Sequence, residues 1–105
     1  MDKVVHFEIP ADNVERAQKF YKSLFGWEVQ QFGTMPYWAL MTVEVDEKRM
    51  PKEKGAINGG MLKRDEKNDP GSSVPVIVIG VSNTEDYCKK IVKVGGKIVL
   101  PARNI

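Results

Sequence analysis

Cysteine and histidine are almost missing from this chain of 105 residues, which has one of each, Cys88 and His6. A single cysteine excludes a disulfide within the chain and a zinc site built from several cysteines. No apolar run approaches the roughly 20 residues that a membrane-spanning helix needs, and the first residues lack the basic-then-apolar layout of a signal peptide. We therefore expect a cytoplasmic protein with no membrane partner.

The charged residues also lack a dominant sign, because 16 Lys and Arg stand against 14 Asp and Glu, which gives a formal net charge of +2. The two most densely charged segments, 46–49 and 63–67, both mix the two signs. A nucleic-acid surface needs basic residues clustered on one face, so we do not expect nucleic acid as a partner. The hydrophobic share of 42% and the charged share of 29% are typical of one globular domain.

Two segments of the chain match each other at an offset of 70 residues, with positions 6–29 aligned on positions 76–99 without a gap. Each copy begins with a predicted strand, at residues 4–9 and at residues 74–81. The match predicts that one structural unit occurs twice in this chain.

A helix is predicted after each of these strands. Asp12-x-x-Glu15 and Ser82-x-x-Glu85 both have the form of a capping box, in which two side chains satisfy free backbone amides at a helix start. Apolar residues then recur at helical spacing in both copies. In the first helix these residues are Val14, Ala17, Phe20, Tyr21, Leu24 and Phe25.

Glycine is expected to end both helices, at Gly26 in the first copy and at positions 95–96 in the second. A second strand is predicted after each helix, over residues 27–32 and 97–100. The two copies therefore share the order strand, helix, strand.

The first copy continues with two further predicted strands, at residues 37–45 and 57–63, which complete a βαβββ unit. A segment rich in turn-forming residues then leads to the second copy. We predict a single domain over residues 1–105 whose second module lacks its last two strands. Its parts are a first module 1–63, a linker 64–73 and a partial second module 74–105.

Four phrases of the sequence resemble the vicinal oxygen chelate superfamily, which includes glyoxalases, bleomycin resistance proteins and extradiol dioxygenases. The phrases are His6-Phe7-Glu8-Ile9, Phe20-Tyr21-x-x-Leu24-Phe25-Gly26-Trp27, Asn58-Gly59-Gly60 and Val94-Gly95-Gly96-Lys97. The resemblance implies an α+β fold of tandem βαβββ modules. In such a fold a curved mixed sheet forms a cup, and the helices lie on its outer face.

The resemblance also implies a divalent metal, with Ni, Co, Zn, Mn and Fe as candidates, held by the first and fourth strands of each module. The first-strand position falls on His6, but its partner in the second copy falls on Val76, which cannot bind a metal. The fourth strand of the first module, 58–63, offers no carboxylate. Glu8 could add a second ligand, but catalytic metal sites need about three. A complete metal site within one chain is therefore not expected.

The candidate site residues come mainly from the first and third strands. Alternation places His6 and Glu8 on the strand face opposite the helix, where His6 could contact a ligand or simply be a hydrogen-bonded strand residue. Glu8 could act as a general base or be a half-exposed carboxylate. Tyr37 and Trp38, with Trp27, could line an apolar ligand pocket, although strand aromatics more often belong to the core.

Two other residues complete the set of candidates. Asn58, at the start of the fourth strand, is a further ligand-binding candidate, and the glycines after it indicate either a bulge or a close approach of backbone. Cys88 falls on the apolar side of the second helix, where a buried, unreactive thiol is the expected state.

The missing strands are expected to leave a sheet edge and an apolar face open to water, which association would cover. We therefore predict a homodimer, with exchange of strands between subunits left open. Three functions remain open, and a small-molecule binder that uses the cup is placed first. The others are a divalent-metal-dependent lyase, isomerase or dioxygenase with a site shared between subunits, and a structural remnant without a ligand.

Overall fold

The computed structural model describes residues 1–102 and has the α+β architecture that the sequence predicts. Five strands and two helices follow one another along the chain. They are β1 (Lys3–Ala11), α1 (Val14–Phe25), β2 (Glu28–Gln31), β3 (Tyr37–Met41), β4 (Gly59–Lys63), β5 (Val76–Gly80) and α2 (Thr84–Lys93), with a short 3-10 turn at Pro70–Ser73. The first five elements have the predicted βαβββ order.

The five strands form one mixed sheet in the order β2-β3-β4-β1-β5, and this sheet is not closed. Strands β1 and β4 run parallel, with Phe7 opposite Gly59 and Glu8 opposite Gly60. Strand β3 is antiparallel to both β2 and β4, and its residue Ala39 also lies opposite Gly60. β4 is thus flanked by β1 and β3, the strands that carry most of the candidate residues.

The chain divides into two compact units. One comprises Val4–Val78, and the other comprises Met1–Lys3 with the chain from Ile79 onward. In the second unit, the Tyr87 hydroxyl donates a hydrogen bond of 2.7 Å to the Asp2 carboxylate, and Lys90 Nζ lies 4.7 Å from the centre of the Tyr87 ring. Cys88 is a free thiol and is half-buried rather than fully buried.

The core of the Val4–Val78 unit lies between α1 and one face of the sheet. Ala11, Leu40 and Met61 are its buried centre. Partly buried hydrophobic residues surround this centre, namely Phe7, Ile9, Val14, Ala17, Tyr21, Trp27, Val29 and Trp38. The predicted face of β1 is confirmed, since its residues Phe7 and Ile9 belong to this layer.

The predicted apolar stripe of α1 is only partly buried. Phe20, Leu24 and Phe25 remain 51%, 62% and 60% exposed, although they lie on the same side of the helix as Tyr21. Tyr21 instead stacks on Trp27 with a ring separation of 4.8 Å and an interplanar angle of 5°. The sheet covers a narrower band of the helix than the sequence pattern predicts.

The start of each helix differs by one residue from the prediction. Asn13 caps α1 by accepting a hydrogen bond from the Arg16 amide, and Asn83 caps α2 by accepting one from the Asp86 amide. The predicted caps, Asp12 and Ser82, lie one residue before the observed ones. With asparagine at the cap, the glutamates of the predicted capping boxes occupy the second helical position instead of the third, so the capping boxes do not form.

Strand β3 ends earlier and strand β4 begins later than predicted, and one side chain explains both differences. Asn58 Oδ1 accepts hydrogen bonds from the amides of Thr42 and Val43 at 2.8 and 3.0 Å, and Asn58 Nδ2 donates to the Val43 carbonyl. These bonds replace the backbone ladder. β3 therefore ends at Met41 and β4 begins at Gly59.

The helices end as predicted, but the strand expected at 97–100 does not form. Gly26 ends α1 with a φ of 71°, and Gly95 follows α2 with a φ of 99°, both in the left-handed region that glycine favours. Within the described residues, the segment after α2 is irregular. Among residues 1–102, no helix is long and apolar enough to cross a membrane.

Candidate ligand-binding site

The candidate site begins with the alternation of β1. Because Phe7 and Ile9 face the core, His6 and Glu8 lie on the opposite face of the sheet. Tyr37 belongs to the same free face, since the next residue on β3, Trp38, packs toward the core. Three polar residues from two strands thus share one face.

A glycine on β4 lets these residues meet. β4 separates β3 from β1, so Tyr37 must cross it to approach His6 and Glu8. A Cβ atom at Gly60 would overlap the hydroxyl and ring carbons of Tyr37. The absence of a side chain at Gly60 therefore gives the Tyr37 ring a path across the sheet. The sequence predicts a bulge or a close approach of backbone at these glycines, and the structure shows instead a close approach of the Tyr37 side chain to Gly60.

The Tyr37 hydroxyl interacts with both residues on β1. It lies 2.7 Å from His6 Nε2, at hydrogen-bond distance. Burial raises the pKa of Tyr37, and the charge of Glu8 and a hydrogen bond to Glu8 raise this pKa further.

A cavity of about 680 Å³ opens beside Glu8 and Tyr37. Its wall consists of Glu8, Pro36, Tyr37, Leu62, Lys63, Arg64, Asp65 and Asp69. The volume is within the range of known small-molecule sites, which combine apolar walls with a few fixed polar groups. His6 is not among the lining residues. Its contact with Tyr37 instead fixes the position of a residue that does line the cavity.

Hydrogen bonds fix the loop that forms the charged rim. The Asp65 amide donates to Ser72 Oγ at 2.7 Å, and the Asp65 carboxylate accepts two hydrogen bonds of 3.2 Å from Asn68. Ser72 is buried and donates to the Asp69 carbonyl. The rim is therefore an ordered turn within the segment 64–73, which the sequence predicts to be a linker rich in turn-forming residues.

Two comparisons bear on the family of this chain. The family described as bleomycin resistance protein-like N-terminal matches residues 3–44, which contain His6, Glu8 and Tyr37. A glyoxylase-like domain-containing protein from Didymella fabae is 34% identical over 92 residues, which are 86% of this chain and 66% of that protein. The chain belongs to the vicinal oxygen chelate superfamily. It spans about two thirds of the length of this superfamily relative.

A resident metal does not fit the described part of this vicinal oxygen chelate protein. His6 Nε2, the atom that a metal would use, is engaged by the Tyr37 hydroxyl. Glu8 is the only other ligand type on that strand face, whereas a catalytic divalent metal needs about three protein ligands. Among residues 1–102, no group of three His, Cys, Asp or Glu side chains is placed to hold a metal ion.

The other two candidates lie away from the cavity of this superfamily member. Trp38 pairs with Met61 and packs against the core on the opposite face. The Asn58 side chain makes three hydrogen bonds to the backbone of Thr42 and Val43. The structure thus brings together His6, Glu8 and Tyr37, but it does not bring Trp38 or Asn58 to them.

Several cavity residues are absent from the sequence-based candidates. Leu62, Lys63 and Arg64 lie at the end of β4 and just after it, and Pro36 immediately precedes Tyr37. Leu62 lies opposite both Tyr37 and Pro10 in the sheet register. That register depends on the parallel pairing of β1 with β4, which no local pattern in the sequence indicates.

Proposed function

We propose that this protein binds a small organic molecule in the cavity beside Glu8 and Tyr37. The observation that carries the proposal is the Tyr37 hydroxyl, held 2.7 Å from His6 Nε2 in the wall of a cavity of about 680 Å³. A polar group fixed before binding loses little conformational freedom when a ligand arrives, which favours affinity. The apolar contacts would come from Leu62, Pro36 and the Tyr37 ring.

Membership of the vicinal oxygen chelate superfamily supports a second candidate, a metal-dependent lyase, isomerase or dioxygenase. His6 and Glu8 lie on the same strand face, so two copies of the chain could supply four ligands to one shared metal. This candidate requires that His6 exchange its contact with Tyr37 for a metal ion. Such a site would form only in a dimer.

Exposed apolar residues of β1 and β5 support the homodimer that both candidates could use. Val4, Val5, Val76, Ile77 and Val78 are all exposed, and exposed apolar residues that cluster on a surface often mark an interface. Light scattering after size exclusion should give twice the chain mass of 11.8 kDa. Val76→Lys should shift the protein toward the monomer, whereas Val94→Lys, at a largely exposed residue after α2, should not. A monomer at all concentrations would contradict this.

The binding proposal is tested by screening a fragment library with amide chemical shifts on metal-free protein. Ligands of the cavity should perturb the amides around Glu8, Tyr37 and Leu62. Leu62→Gln should weaken their binding, and Leu24→Gln is the matched control because Leu24 is exposed on α1. The proposal fails if no fragment perturbs these amides, or if both variants weaken binding equally.

The metal-dependent candidate is tested by thermal unfolding of stripped protein with Ni²⁺, Co²⁺, Zn²⁺, Mn²⁺ or Fe²⁺. A ligand at 100 times its dissociation constant stabilises a protein by about 2.7 kcal/mol. A shift of that size that disappears in His6→Ala would favour the shared metal site. Unchanged unfolding with every metal would exclude it and leave metal-free binding.

A further inference from the structure

We infer that the cavity selects an organic cation, an ammonium group attached to a small apolar body. This inference rests on the proposed function and names the ligand class of the same site. It follows from the charge of Glu8, the charges of the rim and the aromatic wall.

Glu8 has no cationic partner among the described residues. The ion pairs in that part of the chain join Lys52 to Glu44 at 3.6 Å and Arg64 to Asp12 at 3.5 Å. The neighbour of the half-buried Glu8 is the phenol of Tyr37, which is neutral. A partly buried carboxylate without a counter-charge is unfavourable, and a bound cation would supply that charge.

The remaining charges of the cavity do not reverse this preference. Asp65 and Asp69 add two carboxylates, against Lys63 and Arg64. Arg64 Nε lies 3.5 Å from the carboxylate of Asp12, outside the cavity lining, and has no hydrogen-bond partner among the described residues, so three carboxylates face two cationic side chains. Negative charge is therefore in excess at the cavity wall, and an anionic ligand would meet repulsion from Glu8.

The apolar part of the wall suits the organic body of such a ligand. Tyr37 exposes an aromatic ring next to Glu8, and a cation near the face of an aromatic ring gains further electrostatic attraction. Pro36 and Leu62 extend the apolar surface. A neutral ligand would use this surface without using the charge of Glu8, so charge selectivity separates the two cases.

Three probes of similar size and different charge test the inference at neutral pH: benzylammonium, benzyl alcohol and benzoate. Amide shift titrations should give at least tenfold tighter binding for benzylammonium than for the other two. Glu8→Gln should remove this preference, since the amide keeps the shape and loses the charge. Glu53→Gln, in the exposed loop before β4, is the matched control and should keep it.

An experiment on the native chain avoids any dependence on the folding of the variant. The preference for benzylammonium over benzyl alcohol should fall as sodium chloride is raised toward 1 M, because salt screens a partly exposed charge. Tightest binding of benzoate, or a preference that survives both Glu8→Gln and high salt, would overturn the inference. If all three probes bind equally and Leu62→Gln weakens all of them, the binding function stands and the cation inference fails. If neither the probes nor the fragment library bind, both fail.

Discussion

The Tyr37 hydroxyl occupies the space that a side chain at Gly60 would need. This relationship connects β3 with β1 across β4, the strand between them. Because the Tyr37 ring lies over bare backbone, its hydroxyl reaches His6 Nε2 on β1, and the nearby Glu8 raises the pKa of Tyr37. The geometry of the candidate site therefore depends on a residue that has no side chain of its own.

Gly60→Ala should destabilise the protein by about 1 to 3 kcal/mol, the usual cost of adding a methyl group to filled space. Urea unfolding would measure the loss. Much of it should disappear when Gly60→Ala is made in a Tyr37→Ala background, because the colliding ring is then absent. An equal cost in both backgrounds would show that Tyr37 does not occupy this space.

As the pH rises into the alkaline range, the free energy of unfolding should fall more steeply for the native protein than for the Tyr37→Phe variant. Burial and the neighbouring Glu8 raise the pKa of Tyr37 above its ordinary value of 10.0, so the folded state keeps the phenol proton after the unfolded state has lost it. This stabilisation is complete below pH 10 and is lost as the pH rises beyond it. Urea unfolding between pH 9 and pH 11 would compare the two proteins.

Tyr87→Phe is the control for this pH dependence, since the pKa of Tyr87 is raised mainly by its hydrogen bond to Asp2 and by the charge of Asp2, and least by burial. Loss of the Tyr87 hydroxyl should change the pH dependence of the free energy of unfolding less than loss of the Tyr37 hydroxyl does. Identical slopes for the native protein and Tyr37→Phe would contradict the buried environment of Tyr37.

Asn58→Ala should cost about 2 to 3 kcal/mol, because it leaves the amides of Thr42 and Val43 without an acceptor. The residues around these amides are half-buried or buried, so water cannot fully replace the lost bonds. Asn68→Ala, in the exposed rim loop, removes a surface amide and should cost well under 1 kcal/mol. Similar midpoints of urea unfolding for the two variants would argue against a structural role for Asn58.

Asn83→Ala should destabilise α2 by about 1 kcal/mol, the usual loss when a helix cap is removed. Ser82→Ala changes the residue that the sequence pattern favoured as the cap, and it should have little effect. Amide hydrogen exchange within α2 would report both changes locally. Faster exchange in Ser82→Ala than in Asn83→Ala would show instead that Ser82 caps the helix, as the predicted capping box requires.

Much of the fold could be predicted from the sequence, because strand alternation and helix periodicity are local. The order of elements and the core face of β1 follow from such patterns. The candidate site was harder to predict from the sequence, because Glu8 and Tyr37 come together only through the pairing of β1 with a strand about 50 residues later in the chain. One signal was available: consecutive strand residues point to opposite faces, so Tyr37 and Trp38 could not both line one pocket.

The adjacent glycines of β4 have an implication for how this sequence can vary. A Cβ atom at Gly59 would come within 2.5 Å of the Phe7 ring, just as one at Gly60 would meet Tyr37. Each glycine is thus matched to one aromatic ring, Phe7 among the core residues and Tyr37 on the free face. In related sequences, a side chain at position 60 should occur together with a small residue at position 37, and positions 59 and 7 should covary in the same way.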